Sequence, residues 1–231
     1  MNLNSFTPQN LACRTKLLLE RLQGLDFLTV IEPEEVGLDS TRAFKSSPSG
    51  NKYLEQVLND FKILPQDAII DIGCGKGSAM RTMLKFPFTR VDGIELSEHI
   101  AGIAIRNFKR LDAQRSRIFV CDASLFTDYD SYNMVYFYNP FPSIVMSGVI
   151  DALIQSIHRS ERELVIVYNN ATCHDVVVSK GIFSKIAVYP DEWDNMICIY
   201  SNRNNKSSRF YNIGLRFKRG PLDSAGDKLA K

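Results

Sequence analysis

Several things are missing from this 231-residue chain, and each absence closes off a class of function. No apolar run approaches the roughly 18 to 20 residues needed to span a bilayer, and "LLL" at 17–19 sits inside an amphipathic pattern. The opening "MNLNSFTPQNLACRTK" has no charged flank followed by an apolar segment, so no secretory signal is expected there. The five cysteines (Cys13, Cys74, Cys121, Cys173, Cys198) are scattered, odd in number and free of any Cys-x-x-Cys pair. Neither a disulfide framework nor a zinc site is indicated. Reduced thiols in a cytoplasm, with no membrane partner, are the expectation. The three histidines form no motif: His158 ends a helical pattern, and His174 lies in a loop-like stretch after a strand candidate. No internal repeat is present.

Charge of either sign is nearly balanced overall, at +2, but not along the chain. Arg203 to Lys231 holds eight basic and two acidic residues, so the first 202 residues carry a net −4. This end is also rich in Ser, Asn and Gly. Two readings stand: a basic arm that meets nucleic acid or another acidic partner, or a solvated, partly disordered extension. "FYNIGLRF" within it has the pattern of a strand.

What is present is an alternation. "RTKLLLERL" spaces Leu17, Leu18 and Leu22 for a helix, and "NKYLEQVLNDF" puts Leu54, Val57, Leu58 and Phe61 on one stripe. Between them "GLDSTRAFKSSPSG" is dense in loop-forming residues. From residue 66 onward, apolar strand candidates fall at 68–72, 90–94, 117–121, 133–138, 163–168, 183–189 and 195–201. Helical patterns fill most gaps, clearest in "SEHIAGIAIRNFKRL", where Ile100, Ile103, Ala104, Phe108 and Leu111 share a face and Ser97 is placed to cap. Such alternation predicts an α/β protein with a mostly parallel sheet and helices on both faces. The gap "PDEWD" is too short for a crossover helix, so the last two strands are expected to be antiparallel. Three segments result: 1–64 with helices and a covering loop, 65–202 as the sheet domain, and 203–231 as the basic extension.

The chemistry is concentrated in "AIIDIGCGKGSAM" at 68–80. A P-loop needs Gly-x-x-x-x-Gly-Lys-Ser/Thr, a spacing that Lys76 does not meet. Gly73, Gly75 and Gly77 give Gly-x-Gly-x-Gly and not the dinucleotide fingerprint Gly-x-Gly-x-x-Gly. Asp71 at the strand end would repel a pyrophosphate and favour a cationic ligand. S-adenosylmethionine, with a sulfonium, an ammonium and no phosphate, suits that arrangement. Glu95 in "VDGIELS" lies 18 residues beyond Gly77, close to the distance expected of a carboxylate that accepts from ribose hydroxyls. Asp122 in "IFVCDAS" is placed to accept from an adenine amino group, or alternatively to cap the turn that follows. Three successive strands thus deliver carboxylates to the edge where open α/β sheets bind ligands.

With "DIGCGKG", "GIELS" and "CDAS" in this order, residues 45–201 resemble the class I S-adenosylmethionine-dependent methyltransferases. The resemblance implies a Rossmann-like seven-stranded sheet with one antiparallel strand at the C-terminal hairpin. It implies S-adenosyl-L-methionine as cofactor, bound by Asp71, Gly73, Cys74, Gly75, Gly77, Glu95, Leu96, Asp122, Ala123 and Asn139, with no metal. The fourth strand runs into "NPFP" at 139–142, which is similar to the Asn-Pro-Pro-Tyr/Phe signature of amino-group methyltransferases. By that likeness Asn139 accepts a hydrogen bond from the target nitrogen and Phe141 stacks on it; the alternative is a plain Asn-Pro turn. "FKSSPSG" is reminiscent of the cofactor-covering segment of seven-strand lysine methyltransferases, which would bring Ser47 and Ser49 to the cofactor. The expected acceptor is a nitrogen, on a protein side chain sooner than on a nucleic acid, since a net negative domain disfavours a phosphate-backbone footprint. Oxygen methylation of a small molecule or carbohydrate, and a non-catalytic cofactor-binding module, stay open as alternatives.

Overall fold

In a computed structural model of the chain, residues 8–37, 39, 44–193 and 195–203 are described. The basic segment beyond Arg203, including "FYNIGLRF", lies outside them. The elements run α1 (Pro8–Leu22), α2 (Lys52–Asp60), β1 (Ala68–Ile72), α3 (Ser78–Met83), β2 (Arg90–Glu95), α4 (Glu98–Arg110), β3 (Ile118–Val120), β4 (Met134–Tyr138), α5 (Ser143–Arg159), β5 (Val165–Asn169), α6 (His174–Ser179), β6 (Ser184–Pro190) and β7 (Met196–Ser201). The seven strands form one sheet in the order β3-β2-β1-β4-β5-β7-β6. All pairs among β1 to β5 are parallel, and β7 runs antiparallel to both of its neighbours, β5 and β6. The expected single antiparallel strand is therefore β7, inserted between β5 and β6.

Alternation along each strand sends side chains to two faces. Ile69, Met134, Tyr136, Val165, Val167, Ile197 and Ile199 pack on one face with α2, α3 and Phe108 of α4. Ile70, Ile72, Val135, Phe137, Ile166, Tyr168 and Tyr200 pack on the other with α5 and α6. The stripe expected on α2 is buried, and Asn51 caps that helix by accepting from the amides of Tyr53 and Leu54. Leu25 and Phe27 enter the same core from the N-terminal segment, so the elements before β1 share the sheet's packing.

Three expectations are corrected. The strand expected at 117–121 is only Ile118–Val120 and is half-exposed, because it forms an edge of the sheet with a single neighbour. On α1, Leu18 and Leu22 are exposed; their spacing makes an apolar stripe, but no described residue covers it. On α4 the buried face is completed by Asn107, while Leu111 falls at the helix end and is exposed.

Candidate functional site

Parallel strands share one carboxyl edge, and a cleft lies there, over the ends of β1 to β4. It encloses about 940 Å³ with the open space at its mouth included. Its floor is the turn after β1. Gly73 and Gly75 have φ of 77° and 54°, left-handed values that side chains disfavour. A Cβ at Gly73 would lie 2.4 Å from Pro140, and one at Gly75 would lie 2.5 Å from Ser46. The backbone is thus pressed between the turn after β4 and the N-terminal segment. The amides of Gly73 and Cys74 both donate to the carbonyl of Ile94, at 2.9 Å each, which ties the turn to β2. Gly77, at the start of α3, fits against the Phe108 ring and serves helix packing; it is not part of the cleft wall.

Glu95, at the end of β2, is nearly buried and lines the cleft. One oxygen accepts from the Gly75 amide at 3.0 Å and the other from the Ser97 amide at 2.9 Å. Burial pushes its carboxyl above the usual range, and these amides together with that of Leu96 pull back the other way. Asp122 lines the cleft after β3, and its Oδ1 accepts from both the amide (2.9 Å) and the hydroxyl (2.6 Å) of Ser124. The capping role and the cleft position therefore coexist. Leu96 and Ala123 complete this side.

Asp71 is buried but is not part of the cleft wall. Its neighbours Ile70 and Ile72 face α5, so alternation turns Asp71 to the opposite face, beneath the covering segment. Burial, and then the negative charge of Glu95, pushes its carboxyl well above the ordinary carboxylate range. Asn139 also stays off the cleft wall. It sits at φ 38°, and its Oδ1 accepts from the Thr172 hydroxyl at 2.5 Å. Its neighbours Tyr138, Pro140 and Phe141 line the cleft instead. Phe141 is almost fully buried and packs edge-on against Phe137, centroids 6.2 Å apart, so only a margin of its ring is available.

The fourth wall comes from the N-terminal segment. Phe27, Thr29 and residues 44–49, with Ser47 and Ser49 among them, line the cleft. Ser46 pairs with Ile31, and the Phe44 amide donates to the Pro140 carbonyl at 3.2 Å. Long-range polar contacts hold this wall down. Asn107 accepts from the Asp26 amide (2.9 Å) and donates to the carbonyls of Asp26 (2.8 Å) and Lys76 (3.1 Å). The buried Lys76 ammonium is paired with Asp26 and Thr29. Glu20 accepts from the Phe27 amide and from Arg81, both at 2.9 Å, and the Arg81 guanidinium lies over the Phe27 ring. Lys76 and Asn107 are residues that the sequence reading missed. The only signal was a lysine and an asparagine at positions otherwise read as loop and apolar stripe.

A glycine turn that admits close approach of a ligand, two carboxylates on adjacent strand ends and a covering segment define a nucleotide-type binding protein of the Rossmann-like class. Residues 69–163 match the family described as a methyltransferase domain. No curated protein sequence matches the chain. Among solved structures, a SAM-dependent methyltransferase from Aquifex aeolicus is similar over 65% of this chain and 89% of its own, with TM-score 0.54 and 10% identity. An RNA methyltransferase from Salinibacter ruber, in complex with S-adenosyl-L-homocysteine, is similar over 71% and 99%, with TM-score 0.53 and 14% identity. The putative methyltransferase yhhF from Escherichia coli follows at 67% and 87%, TM-score 0.52 and 17% identity. Residues 69–163 thus carry a methyltransferase-domain match within a seven-stranded Rossmann-like sheet.

Proposed function

We propose that the protein is an S-adenosylmethionine-dependent methyltransferase that methylates a nitrogen, on a protein side chain, and that it does so in the cytoplasm. Bound S-adenosylmethionine supplies a methyl group already activated by the sulfonium. The cleft has what that cofactor needs: backbone that a ligand can approach at Gly73 and Gly75, and carboxylates at Glu95 and Asp122 for hydroxyl and amino donors. Cys74, Leu96 and Ala123 pack beside them, while Asp71 places a buried carboxyl group behind the turn. Gly77 contributes by setting the start of α3. The covering segment, through Ser47 and Ser49, excludes water from the cofactor.

In-line transfer to an activated donor depends mainly on holding acceptor and methyl group in near-attack geometry. The observation that carries the nitrogen reading is the turn after β4. There Tyr138 and the margin of Phe141 give the cleft aromatic walls beside Pro140, a surface suited to a flat or cationic amine. Asn139, held by Thr172 and off the cleft wall, fixes the path of this turn. The buried free thiols Cys74, Cys173 and Cys198 support a reducing compartment, and no helix among the described residues is long and apolar enough to cross a membrane.

The test is transfer of labelled methyl groups from S-adenosylmethionine into a fractionated cell extract. Label in protein that survives mild alkali and maps by mass spectrometry to an amine or guanidinium is the expected result. Label confined to small molecules, carbohydrate or nucleic acid would refute it. The basic segment 203–231 favours a second reading, a nucleic-acid acceptor. Deleting it should leave protein methylation intact; loss of activity on nucleic acid alone would favour the second reading.

A further inference from the structure

Among the described residues, one buried side-chain polar atom lacks a hydrogen-bond partner, Oδ1 of Asn169. The residue is 2% exposed. Proteins seldom leave a buried amide oxygen in this condition, because its lost hydration is not replaced. Asn169 ends β5, in register with Tyr138 on β4, and Tyr138 lines the cleft. Alternation places Asn169 on the face of Val165 and Val167, which also carries Tyr136 and Asp71. Its Nδ2 donates to the Tyr136 hydroxyl at 3.4 Å. Tyr136 lies near Ser49 in turn, a residue of the cleft wall. Asp71 stands opposite Tyr136 in the register of β1 and β4.

Three strands and the covering loop thus bring together an amide oxygen, a carboxylate and two hydroxyls at the carboxyl edge. Acceptor capacity exceeds donor capacity in this group. Asp71 is held above the usual carboxylate range by burial and by Glu95, a condition that a neighbouring cation would reverse. A group rich in N–H complements every one of these features.

We propose that Asn169, with Tyr136 and Asp71 beside it, receives an amine or ammonium nitrogen brought in through the cleft, whose N–H donates to Asn169 Oδ1. The inference rests on the reading of the cleft as the cofactor and amine-acceptor site. Two groups present this chemistry, the α-amino group of the cofactor and the acceptor amine, and the experiment separates them.

Asn169→Leu removes the oxygen at nearly constant volume, and Asn169→Asp keeps it. Calorimetry is run with S-adenosylhomocysteine and with its desamino analogue. Initial methylation rates are measured on the extract protein fraction that accepts label. If the nitrogen is the cofactor's, Asn169→Leu loses about tenfold in affinity for S-adenosylhomocysteine, the scale of one hydrogen bond to a charged group, and nothing for the desamino analogue. If it is the acceptor's, both affinities hold and KM for the protein fraction rises by about as much. Asn169→Asp restores the affected quantity in either case. Affinities and KM all within twofold of the parent in a folded Asn169→Leu protein would overturn the proposal. Should that variant not fold, Tyr136→Phe, which releases the amide from its one anchor, is read by the same measurements and the same criterion. A parent that binds no S-adenosylhomocysteine would refute the reading of the cleft itself, a result distinct from either.

Discussion

Asn107 offers the sharpest test of how the cleft is assembled. It is buried on α4, in the stripe that otherwise carries Ile100, Ile103, Ala104 and Phe108, and Asn107→Leu would make that stripe uniformly apolar. Three hydrogen bonds would be lost, one to the Lys76 carbonyl in a buried setting and two to the Asp26 backbone, which is only partly buried. The buried carbonyl left without a donor costs about 1 to 1.5 kcal/mol, and each partly hydrated bond costs about 0.5 to 1 kcal/mol because water substitutes for the missing partner. The expected destabilisation is roughly 2 to 3 kcal/mol, against a small gain from burying the extra methyls. For a domain of this size it corresponds to a fall in Tm of about 4 to 12 °C. Thermal and urea unfolding measure it, with an unchanged urea slope showing that the native state stays compact. S-adenosylhomocysteine binding should weaken too, because Phe27 and Thr29 belong to the segment that Asn107 holds against the glycine turn. A variant as stable as the parent, with undiminished ligand affinity, would refute the claim that these bonds hold the cleft wall in place.

Three further outcomes are expected. Gly75→Ala places a Cβ at φ 54° and 2.5 Å from Ser46; it should cost about 1 to 2 kcal/mol of stability and displace the Ser46 wall, so that calorimetry finds S-adenosylhomocysteine bound about tenfold more weakly. Asp71 has a raised folded pKa, so the native state holds its proton above the unfolded value of about 4. The stability linked to it is complete below that pH and is lost as pH rises through the folded pKa. Asp71→Asn should therefore flatten the fall in Tm of the ligand-free protein with rising pH, and parallel Tm curves for parent and variant would sink the assignment. Asn139→Ala should lower turnover by about 10²-fold, the scale of one lost positioning contact, with cofactor affinity nearly intact; unchanged turnover would leave Asn139 as a turn residue alone.

Much of this protein is written in local pattern. Alternating strand and helix periods determined the α/β class, and the short "PDEWD" gap determined that β7 runs against β6, because five residues cannot hold a crossover. Parallel strands put their carboxyl ends on one edge, so Gly73, Gly75, Glu95 and Asp122 were bound to converge whatever the packing details. Tertiary structure alone decided the rest. Strand order placed β7 between β5 and β6 and left β3 at an edge, and neither follows from apolar content. The face on which Asp71 lies turned it away from the cleft wall, and the bond from Thr172 engaged the Asn139 oxygen. The N-terminal wall depends on pairs 50 to 81 positions apart, such as Lys76 with Asp26 and Asn107 with Asp26. A polar residue in an apolar stripe shows its partner only when the chain has brought that partner to it, since the hydrogen bond that makes it tolerable comes from elsewhere in the sequence.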